Sequence, residues 1–271
     1  MMQNKIPAKA DDFRRSLYAG EIFHVPATLQ TQDLVQDIHA ALENEFGAPL
    51  QEVHTRLIFD DMKRPLAKLR HDLEHHPRYA QAGGAIIAAL GLPAEDMRRD
   101  ALRLRCVMHD GHQSPQATRA YAAHRDTWFG NPQSQINFWI PLHDVTPAQS
   151  FTFYPGYFNA PVKNTSGGFD YAQWMQVAGW QGAKTVQKYA EVDYPQVLET
   201  PCDAGAFAFS AKAGDIVIFA ASHLHQTVKN TSGLTRFSLD FRAVHMADHL
   251  AGIGAPNPDN ASRPDALQDY A

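Results

Sequence analysis

Two residues spaced two apart, His124 and Asp126 in "AYAAHRDTW" (120–128), stand just before a strand-like run and could hold a metal ion. In an extended chain, residues i and i+2 project to one side, so an imidazole nitrogen and a carboxylate oxygen can converge on one ion. A lone His-X-Asp is most often a surface pair and needs a third ligand. The stretch "GDIVIFAASHLHQTVKNTSGLTRFSLDFR" (214–242) supplies candidates, because His223 and His225 share a strand face and either could serve. Two histidines and a carboxylate on one octahedral face form the ligand set of non-haem Fe(II) oxygenases, which leaves three positions for cosubstrate and oxygen. An iron held by three side chains needs a bidentate cosubstrate, and 2-oxoglutarate chelates through its 1-carboxylate and keto oxygen. Its far carboxylate then needs a planar, forked cation with hydroxyl donors, a role suited to arginine. Arg236 and Ser238 alternate onto one face of "TRFSLDFR", opposite Phe237 and Leu239, and Thr227 shares a face with His225.

These residues must be positioned by a scaffold, and the chain has two textures. From Thr28 to Leu92 the pattern is helical. "TLQTQDLVQDIHAALENEF" places Leu34, Ile38, Ala41 and Leu42 on one face, "KRPLAKLRHDLEHHPRYA" has Pro65 where a first turn tolerates it, and "AGGAIIAALGLP" closes on Gly91 and Pro93. From about residue 100 short strands follow: "ALRLRCVMH", "QINFWIPL", "SFTFYP", "AFAFS", "DIVIFAA", "LHQTV" and "TRFSLDFRAV". Many short strands between turns predict a jelly roll or barrel, mainly β with flanking helices, in a single domain. Residues 1–99 form its helical support and 100–245 its core. The stretch 160–200, with Trp174 and Trp180, reads as an insertion that is either a lid or an interface. The Pro- and Asn-rich tail, 246–271, reads as loosely ordered.

The pairing of "HRD" with "LHQTVKNTSGLTRFS" resembles the Fe(II)/2-oxoglutarate-dependent oxygenases of the phytanoyl-CoA dioxygenase-like group. Their motif is His-X-Asp, a distal His, a hydroxyl residue two positions on and an Arg eleven positions on. His124, Asp126, His225, Thr227 and Arg236 match it residue by residue, and the spacing to Arg236 favours His225 over His223. Gly214-Asp215 before a strand, the Asn230–Ser232 turn and "FYPG" also agree, over roughly residues 100–245. The resemblance implies a double-stranded β-helix, Fe(II) on His124, Asp126 and His225, and 2-oxoglutarate and O2 as cosubstrates. Hydroxylation is the leading outcome, although desaturation, epimerisation and ring closure use the same ligands. The filled carboxylate position separates the chain from halogenating relatives.

Neighbouring residues carry further expectations. Gln135, Asn137 and Trp139 share an inward face and are candidates for cosubstrate contact, since Gln135 and Asn137 would be costly to bury without partners. Trp128 reads as a pocket wall, Arg242 or Arg236 with Asp240 as an ion pair within the strand, and His109, His112, His143 and His245 as surface or supporting residues. Arg103, Arg105 and Arg119 near the expected opening favour a small polar or anionic substrate.

Composition excludes other classes. Net charge is -5, with no block of like charge, so nothing invites nucleic acid or an anionic membrane. Cys106 and Cys202 sit in no metal or disulfide spacing, and neither a signal peptide nor a long apolar segment is present, which fits a soluble cytoplasmic protein, alone or as a homo-oligomer. Two rival readings remain. A cupin-type isomerase or dioxygenase working without 2-oxoglutarate would use the metal but not Arg236, and "HLH" (223–225) partly echoes its ligand spacing. A non-catalytic jelly-roll binding protein is opposed by the joint presence of three ligands and the arginine.

Overall fold

Helical periodicity governs the first hundred residues of this computed structural model, which describes residues 2–114, 121–177, 194–263 and 266–270. Helix α1 (Ala10–Tyr18) and the short strand β1 (Phe23–Val25) come first, and the sequence pattern marks neither. Helix α2 (Leu29–Phe46) starts at a Thr28 capping box and ends at Gly47, whose φ of 61° is left-handed. Its Leu34, Ile38 and Leu42 are buried, as their spacing predicts. Helix α3 (Phe59–His75) begins a turn earlier than expected, so Pro65 lies in its interior rather than its first turn. That proline withdraws one N–H from the helical ladder. Helices α4 (Pro77–Ala80) and α5 (Ala82–Ala89) follow, and Gly91 turns the chain at φ 74°.

Period two then takes over in β2 (Met97–Arg99), β3 (Arg103–Val107), β4 (Gln135–Pro141), β5 (Phe151–Phe153), β6 (Ile216–Ala220), β7 (His225–Thr227) and β8 (Arg236–His245). One antiparallel sheet has the order β1-β6-β4-β8-β2, with β3 also paired to β8, and β5 and β7 form a second, smaller one. "AFAFS" forms no strand of its own, but the segment bridges Phe207 to Phe153 and Ala211 to Val145, beside that smaller sheet.

Alternation along β4 and β8 separates the core from the site. Ile136, Phe138 and Ile140 of β4, with Phe237, Leu239, Phe241 and Ala243 of β8, join the core shared with the helices. The cross-strand partners Phe138 and Phe241 stack there, ring centroids 4.6 Å apart. Trp139 turns the other way, into a cluster with Phe151, Phe153, Phe209 and Phe219. Both faces of the large sheet are therefore covered, which is why every residue of β4 is buried.

The C-terminal stretch is packed, contrary to the loose order that its composition predicts. Asp259 lies 3.0 Å from Arg125 Nε and accepts from Trp128 Nε1 and the Val162 amide, each at 2.9 Å. Arg125 also donates to the carbonyls of Ser222, Tyr157 and Ala160. Its side chain is fully buried, and removing one member of such a pair costs on the order of 3–5 kcal/mol. That carboxylate, with backbone bonds from Ala255 to Gln133, Arg263 to Phe169 and Ala266 to Gly130, holds a stretch that Pro and Asn content alone would leave loose.

Candidate functional site

His124 and His225 are direct antiparallel partners: each amide donates to the other's carbonyl at 3.0 Å. That reciprocal bridge sets the rings side by side, with centroids 4.5 Å apart. Each Nδ1 donates to the carbonyl two residues before it, Ala122 at 2.9 Å and His223 at 3.0 Å. The tautomer those bonds require leaves each Nε2 with its lone pair free. Arg125 is extended, so Asp126 follows His124 onto the same side while Arg125 turns away to Asp259. The Asp126 amide donates to Ala221 at the end of β6, which fixes its height beside the histidines.

The result is a donor set without competing protons. Ligand atoms of His124, Asp126 and His225 all lie within 4.8 Å of one another, and Asp126 Oδ1 is 3.5 Å from His124 Nε2. Burial alone would raise the Asp126 carboxyl, but His124, His225 and Arg242 outweigh it and hold the group well below the usual carboxylate range. Burial, with His124 nearby, pulls His225 down to about 4, so its ring is neutral at pH 7. Lone pairs and a carboxylate facing one another repel unless a cation lies between them, and two imidazoles with one carboxylate suit Fe(II).

The triad opens on a cavity of about 560 Å³ that also exposes Asn137, Trp139, Thr227 and Arg236. Arg236 is buried, its Nε has no hydrogen-bond partner among the described residues, and its Cζ lies 5.7 Å from the Trp139 ring. Burial pulls its guanidinium down to about 10, against the pull of Asp240, so it remains a cation at neutral pH. Ser238, on the same strand face, has a buried hydroxyl that is likewise unpartnered. A buried cation that faces the cavity with its Nε unpartnered is what a carboxylate would satisfy.

Other expected residues are placed differently. Gln135 and Ser238 do not line the cavity, and Gln135 instead donates to Asn137 Oδ1 at 2.7 Å. Trp128 is fully buried against Asp259 and is no pocket wall. Asp240 takes two nitrogens of Arg105, at 2.6 and 3.3 Å, while Arg242 engages Asp100. His143 is buried, and its Nε2 accepts the Phe237 amide at 3.0 Å. Trp174 lines the cavity and donates to the Tyr194 hydroxyl at 3.0 Å, whereas Arg119 and Trp180 lie outside the described residues. Sequence reasoning misses Asn131, Phe129, Phe169, Asp259 and Tyr270, none of which carries a local signal.

His223 stands apart from the donor set. It is buried, its ring lies 4.5 Å from that of Phe158, and the Gly20 backbone is a polar neighbour that tempers the fall in its pKa. Burial, helped by His225 and Arg125, lowers its pKa from 6.5 to about 3. A folded pKa below the unfolded one contributes stability that is complete above about pH 6.5 and lost as pH falls towards about 3, at roughly 1.4 kcal/mol per pH unit. In the metal-free protein, His223→Met should therefore flatten the acid decline in Tm over that window. An identical decline in both proteins would show that His223 is not the group responsible.

A family profile described as phytanoyl-CoA dioxygenase (PhyH) matches residues 23–238. EvdO2 from Micromonospora carbonacea var. aurantiaca, solved with 2-oxoglutarate, superposes with a TM-score of 0.50 at 13% identity, over 99% of this chain and 100% of that one. The non-heme alpha ketoglutarate dependent carbocyclase SnoK from nogalamycin biosynthesis gives 0.48 at 15% identity, over 95% and 96%. The epimerase SnoN from the same biosynthesis gives 0.43 at 16%, over 96% and 98%. At these identities the likeness is one of fold. No curated protein matches the sequence significantly.

Proposed function

The chain belongs to the phytanoyl-CoA dioxygenase family, and from that premise we propose that it hydroxylates a small polar metabolite. One atom of O2 enters a substrate C–H bond, and 2-oxoglutarate takes the other, losing CO2 to become succinate. Fe(II) and 2-oxoglutarate are the cofactor and cosubstrate of this family, and its double-stranded β-helix is the frame in which we read the two antiparallel sheets. The reading rests on one juxtaposition: His124, Asp126, His225 and the unpartnered Arg236 face the same cavity.

When bound, the iron would supply the oxygen chemistry. His124, Asp126 and His225 would hold it, with Asn137 occupying the second oxygen of Asp126. Arg236 would bind the far carboxylate of the cosubstrate, with Thr227 as a hydroxyl donor and Trp139 against the guanidinium. Phe129, Phe169 and Trp174, on the cavity wall contributed by the insertion and its neighbours, would keep water away while the substrate is in place. We read the described parts of 160–200, residues 160–177 and 194–200, as that cover; residues 178–193 lie outside the described residues. Among the described residues four guanidinium groups line the cavity, Arg70, Arg105, Arg236 and Arg242, against the lining carboxylates Asp126 and Asp240 and the Asp100 that engages Arg242, four against three. A divalent iron and a dianionic cosubstrate offset each other, so the excess favours a polar or anionic substrate. No helix among the described residues is long and apolar enough to cross a membrane, and the free Cys106 and Cys202 fit a reducing cytoplasm.

The test is anaerobic reconstitution with Fe(II), then exposure to O2 and 2-oxoglutarate with amino acids, sugar nucleotides, phosphonates and acyl thioesters. Succinate release should track one substrate class and match a product heavier by one oxygen atom. A product of unchanged mass, or one lighter by two hydrogens, would replace hydroxylation with epimerisation or desaturation.

A further inference from the structure

Asp126 is tied to the last described segment of the chain by an unbroken relay of hydrogen bonds. The Tyr270 hydroxyl donates to Gln135 Oε1 at 2.6 Å, Gln135 Nε2 donates to Asn137 Oδ1 at 2.7 Å, and Asn137 Nδ2 donates to Asp126 Oδ2 at 2.6 Å. The relay can run in only one direction. An ionised carboxylate only accepts, so Asn137 must turn its NH2 to Asp126 and its carbonyl to Gln135, and Gln135 must turn its own carbonyl to the phenol. Burial raises the Tyr270 pKa well above its ordinary value, so the phenol keeps the proton that begins the chain.

The backbone of Asp126 is held by Asn131, while the one phenolic proton of Tyr270 goes to Gln135. The Tyr270 hydroxyl is 3.4 Å from Asn131 Oδ1, and Asn131 Nδ2 donates to the Asp126 carbonyl at 2.8 Å. Asn131, Gln135, Asn137 and Tyr270 are all buried, where an amide without partners would be costly. The segment that brings Tyr270 there is itself docked by Asp259 on Arg125, the residue between the two ligands of the His-X-Asp pair. Arg125, through Asp259, and Asp126, through Tyr270, are therefore both held by residues of the C-terminal stretch.

We infer that Tyr270 is a positioning residue of the metal centre: through Gln135 and Asn137 it locks the Asp126 carboxylate so that Oδ1 alone addresses the ion. Oδ2 is taken by Asn137, and Oδ1 is left facing His124 Nε2 at 3.5 Å. The inference rests on the reading of His124, Asp126 and His225 as metal ligands.

Tyr270→Phe keeps the ring and removes only the hydroxyl. Partners outside the ligands are typically worth about 10–100-fold in metal affinity, and a group three hydrogen bonds from the ion belongs at the lower end. Titration of the full-length protein with Co(II) should give a Kd weakened about tenfold in Tyr270→Phe, with an altered visible spectrum of the bound ion that a purely structural role would not produce. In a Gln135→Met background the relay is already cut, so adding Tyr270→Phe should change the Kd no further. The inference alone is overturned if Tyr270→Phe matches the unaltered protein in Kd and spectrum, or if its effect persists undiminished beside Gln135→Met. Failure of the unaltered protein to bind Co(II) would instead overturn the reading of the site, and the inference with it.

Discussion

His225→Ala should abolish stoichiometric binding of Fe(II), or of Co(II) in its place, whereas His223→Ala should still bind one metal per chain. The two histidines share a strand face in the sequence, but the structure gives them different neighbours. His225 is bridged to His124, its Nδ1 is engaged by the His223 carbonyl, and its remaining nitrogen joins the donor set. His223 lies among Phe153, Phe158 and Phe219, outside the donor set. Loss of an outer partner commonly costs about 10–100-fold in metal affinity, and loss of one of three direct ligands should cost more. His223→Ala, a truncation in a packed aromatic environment, should appear as a lower Tm with the metal still bound. Metal content measured after equilibrium dialysis separates the two, and retention by His225→Ala with loss in His223→Ala would reassign the ligand.

The division of labour between β4 and β8 explains how much of this was legible beforehand. Period two along "QINFWIPL" and "TRFSLDFRAV" predicts which side chains meet the helices and which meet the site, and Ile136, Phe138, Phe237 and Leu239 fall in the shared core while Asn137 and Arg236 reach the cavity. Local rules likewise read the Gly91 turn, because it depends on a few adjacent residues. What escapes is long-range polar pairing. Nothing near Asp259 in sequence tells that Arg125, Trp128 and the Val162 amide will converge on it, and nothing near Tyr270 points to Gln135. Burial of a polar group demands a partner but does not name one. His143 escapes for the same reason: its Nε2 takes the place of a strand acceptor for the Phe237 amide, a role that no spacing encodes. Asp240 finding Arg105 across the strand pair repeats the lesson.

Arg236→Ala should weaken 2-oxoglutarate binding by roughly a hundredfold or more while leaving the Tm of the ligand-free protein unchanged or raised. The first half follows from breaking a buried charged pair, which costs on the order of 3–5 kcal/mol. The second half follows from the state of Arg236 before anything binds. Its guanidinium is buried, its Nε has no partner, and burial pulls its pKa down to about 10, so in the ligand-free protein the cation is a cost rather than a support. The Trp139 ring, 5.7 Å away, returns only about 0.5–2 kcal/mol. Removing the side chain enlarges a cavity that is already there instead of opening a new one in the core, so the usual penalty for truncation is reduced. Such opposite signs would mark a residue retained for its ligand at the expense of stability. Lysine should restore part of the affinity, since it keeps the charge but lacks the planar fork. The measurement is a titration of the metal-to-ligand absorption band that forms when the cosubstrate chelates Fe(II), alongside thermal unfolding of the ligand-free protein. An unchanged affinity in Arg236→Ala would remove Arg236 from the cosubstrate site. A large fall in Tm with a matching small loss of affinity would make Arg236 a structural cation whose partner is yet to be found.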